Sequence, residues 1–130
     1  MPQKLSSLLE DLMTSGKVLD GVLAQDSTQF TSLWKLREGI PEACGKTGAV
    51  YKYDVSIPVA DMYAVCEAVR KRLQDKGLLK GDGTPEGPVK ACVGYGHMGD
   101  GNIHLNIVAN KYTDEIEAAI EPYVYEVVCK

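Results

Sequence analysis

The chain has 130 residues, 45% of them apolar and 25% charged, with a formal net charge of −4. This composition suits one compact globular domain with a real core, and its mild acidity, with no basic run longer than Arg70-Lys71-Arg72, argues against non-specific nucleic-acid binding. No apolar run approaches the roughly 20 residues that span a bilayer, and the opening MPQKLSSLLEDLM, with two acids in a helical pattern, reads as neither a secretory signal nor an Arg-rich transit peptide.

Leu5, Leu8, Leu9 and Leu12 recur at i, i+3, i+4 and i+7, and Gly16 follows, so residues 4–15 are expected to form an amphipathic helix. Val18 to Leu23 is a short apolar stretch that fits a strand. Ser27 is read as the N-cap of a helix carrying Phe30, Leu33, Trp34 and Ile40, with Pro41 near its end or at a break. Residues 50–57 alternate: Tyr51, Tyr53, Val55 and Ile57 take one face, and Lys52, Asp54 and Ser56 the other. That is the pattern of a half-buried strand, ended by Pro58. A helix follows with Met62, Val65, Cys66, Val69 and Leu73 on one stripe and Gly77 after it. Residues 81–88, GDGTPEGP, are expected to be a mobile loop. Val89–Gly96 and Asn102–Val108 read as two further strands. Thr113 caps a last helix that turns Ile116, Ile120, Tyr123 and Val127 inward, with Pro122 kinking it. The order predicts an α+β fold, an antiparallel sheet with helices packed on one face. The four cysteines form no C-x-x-C pair and are expected to be reduced and mostly buried.

The two histidines of the chain, His97 and His104, flank Gly99-Asp100-Gly101. Asp-Gly between strands is a strong hairpin signal. A two-residue loop at Asp100-Gly101 would set Gly99 against Asn102, Met98 against Ile103, His97 against His104 and Tyr95 against Asn106. Directly opposed residues have Cβ atoms about 4.5–5.5 Å apart and share a face. One face then carries Tyr95, both imidazoles and Asn106, and the other carries Met98, Ile103, Leu105 and Ile107. Two such imidazoles suit one divalent metal, but a metal site wants a third ligand, often a carboxylate. Asp100 points away in this register, and no other acid is placed beside the pair. Spacing alone does not separate a metal site from a solvent-facing hairpin. The glycines Gly94, Gly96 and Gly99 favour close approach of a ligand or another backbone.

GYGHMGDGNIHLN (94–106) closely resembles the G-H-x-G-D-G-N-x-H signature of the C-terminal substrate domain of FAD-linked D-2-hydroxyacid dehydrogenases. LWKLREGIPEA (33–43), VYKYDVSIPV (50–59) and IEPYVYE (120–126) resemble the same family in the same order. Within it the pattern is nearest the mitochondrial members acting on D-2-hydroxyglutarate, with those acting on D-lactate next. The resemblance implies that His97 and His104 are metal ligands, with zinc expected, and that Arg37, Lys52 and Asn106 bind a 2-hydroxy acid. It also implies a mitochondrial location. Pro41 falls where some members have a substrate-contacting threonine; proline offers neither hydroxyl nor N–H.

This is chemically coherent. A dicarboxylate needs two cationic anchors, a bidentate arginine fork and a lysine point charge. Without the resemblance, Arg37 reads as a helix-surface charge and Lys52 as a solvated residue. In the complete family enzyme the metal would stabilise the developing alkoxide while hydride leaves for the flavin and a 2-keto acid forms. The resemblance also implies a larger FAD-binding domain upstream and an Ala-Glu-His-Gly stretch downstream, supplying the third ligand and the base. Residues 1–130 are therefore expected to be a partial substrate domain without its FAD-binding domain, holding no catalytic residue and inactive alone. The alternatives are a D-lactate-type substrate domain and a non-catalytic remnant that associates, for instance as a homodimer, through an exposed sheet edge.

Overall fold

The computed structural model describes residues 2–81 and 86–129. The middle of the expected 81–88 loop, 82–85, lies outside the described residues. Two units are distinguished, Met1–Ile40 and Pro41–Lys130.

The N-terminal unit opens with helix α1, Pro2–Thr14. The stretch Val18–Leu23 is not a strand. It runs as irregular chain, and residues Gly21 to Leu23 line a shallow groove with Leu5, Leu8, Leu9 and Leu12 of α1. The apolar run serves to face that leucine stripe; no strand of the sheet pairs with it. Leu19 is left 97% exposed. Helix α2 spans Ser27–Glu38. Its N-cap is Asp26, not Ser27: the Asp26 carboxylate accepts from the Gln29 N–H at 2.8 Å, and Ser27 is the first helical residue. Helix α2 closes at Gly39, and a new helix, α3, runs Ile40–Thr47. Pro41 thus sits in the first turn of α3, where a missing N–H costs no intrahelical bond.

In the C-terminal unit, strands β1 (Ala49–Ser56), β2 (Val89–His97) and β3 (Asn102–Ala109) form an antiparallel sheet in the order β1-β3-β2. A short 3-10 turn at Val59–Asp61 leads from β1 into helix α4, Met62–Asp75. The buried residues of α4 are the predicted stripe, Met62, Val65, Cys66, Val69 and Leu73. Helix α5, Asp114–Val128, is capped by Thr113, whose side chain accepts from the Ile116 N–H. Helix α5 runs through Pro122 and buries Ile116, Ala119, Ile120 and Val124. Helices α4 and α5 pack with Tyr51, Tyr53, Ile103, Leu105 and Ile107 in one core. Arg70 of α4 donates to the Cys92 carbonyl of β2 at 2.9 Å. The fold is α+β, an antiparallel sheet with helices on one face.

Two tyrosines of β1 join the sheet to α5. The Tyr51 hydroxyl accepts from the Thr113 N–H at 2.7 Å, and the Tyr53 hydroxyl donates to Glu121 Oε1 at 2.8 Å. Burial, then the neighbouring Glu121 carboxylate, pushes the Tyr53 phenol well above its ordinary value of 10.0. None of the four cysteines is in a disulfide; Cys44, Cys66 and Cys92 are buried and Cys129 is exposed.

Candidate functional site

The hairpin between β2 and β3 decides the site. Its loop is four residues, not two. Met98–Asp100 make a 3-10 turn, and Gly101 closes it at φ 74°, a left-handed conformation that glycine adopts freely. A Cβ at Gly101 would also strike the Ile57 carbonyl at 2.5 Å. Asp100 Oδ1 accepts from the Asn102 N–H, which removes that donor from pairing with Gly99. The observed pairs are His97 with Asn102, Gly96 with Ile103 and Tyr95 with His104.

This register differs from the expected one by two residues. An even shift preserves side-chain faces, so His97, Tyr95, His104 and Asn106 still share one face. Met98 is the casualty: it leaves the strand for the turn and is 72% exposed, whereas Ile103, Leu105 and Ile107 are buried as expected. The expected close approach of another backbone is met at Gly96 but not at Gly94 or Gly99. A Cβ at Gly94 would run into Cys66 Sγ of α4, and one at Gly96 into the Asn102 backbone, while Gly99 faces open space. Gly94 and Gly96 admit a packed helix and a neighbouring strand on the side away from the imidazoles.

The imidazole face continues onto β1, where Lys52 pairs with Asn106 and Asp54 with His104. A cleft of about 270 Å3 opens there, lined by Pro41, Lys52, Asp54, Tyr95, His104 and Asn106. Pro41 offers it only an apolar wall. The ring centroids of His97 and His104 are 5.5 Å apart and tilted by 54°. His97 is exposed and stands beside the cleft. Tyr95 stacks on His104, with centroids 5.2 Å apart and planes 14° apart. Its hydroxyl accepts from the Asn106 amide at 3.2 Å. Asn106 is the buried polar residue of the sheet, 2% exposed. Arg37 belongs to the N-terminal unit, where its guanidinium pairs with Glu38 at 2.9 Å and lies 5.7 Å over the Trp34 ring.

Sequence reasoning missed Asp54 as a neighbour of the histidines. Its polar face was legible in the alternation, but its partner strand was not. Asp54 Oδ2 lies 3.7 Å from His104 Nδ1. The other ring nitrogen, Nε2, is buried without a hydrogen-bond partner. An orphaned buried nitrogen is uncommon. Among the described residues no group of three His, Cys, Asp or Glu side chains is arranged to hold a metal ion. Among the described residues, His97 and His104 could supply at most two of the ligands a divalent ion needs.

Comparison with known proteins fits this geometry. A protein of Arabidopsis thaliana named as a mitochondrial D-2-hydroxyglutarate dehydrogenase is 47% identical over 124 residues, covering 95% of this chain and 20% of its own. The rat enzyme of the same name is 44% identical over 123 residues, covering 95% and 21%. A Schizosaccharomyces pombe protein whose name places it among mitochondrial D-lactate dehydrogenases is 49% identical over 129 residues, covering 98% and 24%. The chain thus spans about a fifth to a quarter of the length of these relatives. Residues 2–130 match the family described as FAD linked oxidases, C-terminal domain. With that match over nearly its whole length and the motif folded into one polar sheet face, the chain belongs to the FAD-linked oxidase C-terminal domain family.

Proposed function

We propose that this chain is the substrate-binding part of an FAD-dependent dehydrogenase that converts D-2-hydroxyglutarate to the 2-keto acid. The observation that carries the reading is the convergence of Lys52, His104 and Asn106 on one cleft, with His97 beside it. Lys52 supplies the positive point charge for a carboxylate. His104 and His97 hold a divalent metal, zinc by preference of the ligand type. When bound, such an ion supplies Lewis-acid stabilisation to a developing alkoxide. The Asn106 amide, held by the Tyr95 hydroxyl, orients the substrate so that its reacting carbon is fixed, and such positioning alone can supply much of a barrier reduction. Arg37 is the second carboxylate anchor in this proposal. FAD belongs to the family as a whole; no residue described here is assigned to it. A carboxylate ligand and the proton acceptor are supplied from outside the 130 residues. A mitochondrial location is part of this proposal, supported by relatives whose own names carry that word.

A D-lactate substrate is the second reading. Among the described residues, Lys52 is the cation that lines the cleft, and a monocarboxylate needs only one. The test is nuclear magnetic resonance of the isotope-labelled chain with zinc and each acid at millimolar concentration. D-2-Hydroxyglutarate should shift the amides of Lys52, His104 and Asn106, the L-enantiomer should do so less, and Lys52→Ala should remove the effect. Equal shifts with D-lactate would favour the second reading. No shift with either acid overturns the substrate role of this face.

A further inference from the structure

Asp54 is a negative charge in a cleft proposed to hold an anion. Unless engaged, it would oppose both Lys52 and the substrate carboxylate. It is held on one side by a hydrogen bond, and on the other it faces a ring nitrogen from beyond hydrogen-bond distance. One oxygen accepts from the Asn102 side-chain amide, which leaves the other, Oδ2, turned toward His104 Nδ1 at 3.7 Å. The ring between them has little freedom. Tyr95 stacks on its face at 14°, and the β1–β3 register holds Asp54 opposite it. The opposite edge of the ring ends in Nε2, buried and unpartnered.

An ionised carboxylate only accepts. It therefore favours a proton on the nitrogen that faces it. A neutral imidazole carries one proton, so placing it on Nδ1 leaves the lone pair on Nε2. We infer that Asp54 is a positioning residue: through Nδ1 it holds His104 in the tautomer whose bare Nε2 is free to bind a metal. A carboxylate behind a ligating histidine raises its basicity and sets its orientation, and losing such a partner lowers metal affinity about 10–100-fold. The consequence for metal rests on the metal reading of the site; the tautomer assignment does not.

The test is two-bond proton–nitrogen correlation of the imidazole rings in the 130-residue chain. It is run at about pH 8, above the ordinary histidine pKa of ~6.5. His97 serves as the internal comparison. The expected spectrum shows His104 protonated at Nδ1 and bare at Nε2. Asp54→Asn and Asp54→Ala should both move the proton toward Nε2, and Asp54→Glu should restore the original pattern. A wild-type ring protonated at Nε2, or the same tautomer in both Asn and Ala variants, overturns the assignment. If a variant fails to fold, the wild-type spectrum still decides. Zinc titration is the second readout, with affinity falling about 10–100-fold in Asp54→Asn. Unchanged affinity refutes the coupling to metal. A correct tautomer in a wild-type chain that binds no zinc overturns the metal reading and leaves the Asp54 assignment standing.

Discussion

Gly94→Ala separates two reasons for a glycine in the middle of β2. If Gly94 admits helix α4, the added methyl must displace Cys66 Sγ. Cys66 is fully buried, so it cannot swing out into solvent. Overpacking of this kind costs about 1–3 kcal/mol. Gly94 is not among the glycines with positive φ, so alanine is unstrained there and recovers about 0.5–1 kcal/mol of strand preference. Taking the middle of each range, the net expectation is a loss of about 1–1.5 kcal/mol. Cys66→Ala alone removes a buried thiol that packs like a small hydrophobe, at a cost of about 1 kcal/mol. In the double variant the new methyl occupies the vacated space. Its loss should be about 0–1 kcal/mol, against the roughly 2–2.5 expected from simple addition. Urea denaturation of the four proteins measures this directly, since a change of about 1–2 kcal/mol moves the midpoint by about 0.5–1 M at a typical slope. Losses that add to within about 0.5 kcal/mol would refute the packing explanation. So would a Gly94→Ala protein as stable as wild type, and glycine would then have to be explained from the cleft side.

Tyr95→Phe keeps the stack on His104 but removes the acceptor for the Asn106 amide; because Asn106 is 2% exposed, the variant should lose about 1–3 kcal/mol in urea denaturation, and a loss under about 0.5 kcal/mol would show another partner taking over. The raised Tyr53 phenol carries a pH signature. Its contribution is fully present below the unfolded value of 10.0 and is lost as pH rises above it, because the unfolded chain releases that proton first. The urea midpoint should therefore fall between about pH 9 and pH 11, and fall less in Tyr53→Phe; equal slopes would refute the raised phenol. A thiol reagent should label exposed Cys129 quickly and Cys66 only on unfolding, since Cys66 is fully buried and burial raises its pKa; rapid labelling of Cys66 would refute its seat under Gly94. With FAD and D-2-hydroxyglutarate added, the 130-residue chain should show no turnover, and its two imidazoles should bind zinc only weakly; turnover above background, or submicromolar zinc binding abolished by His104→Ala, would reveal a third ligand within the chain.

Much of the fold was legible because its signals are local. The stripe of α4 repeats every three to four residues, the alternation of β1 every two, and each can be read without knowing any partner. The polar face of the hairpin was legible by parity, which is why a register wrong by two still grouped His97, Tyr95, His104 and Asn106 correctly. Where two local signals competed, reading failed. Val18–Leu23 is apolar enough for a strand but faces α1, and Met98 reads as a strand residue but enters the turn once Asp100 claims the Asn102 N–H.

By itself the sequence determined the order of elements from β1 onward, the core stripes, the motif around the histidines and the family they belong to. Tertiary structure alone decided that Lys52 meets Asn106, that Asp54 meets His104 and that Cys66 fills the space over Gly94. Those contacts join residues far apart in the chain. They follow from which strand pairs with which and in what register, a choice made by packing the whole sheet against α4 and α5, on which the local pattern of any one strand is silent.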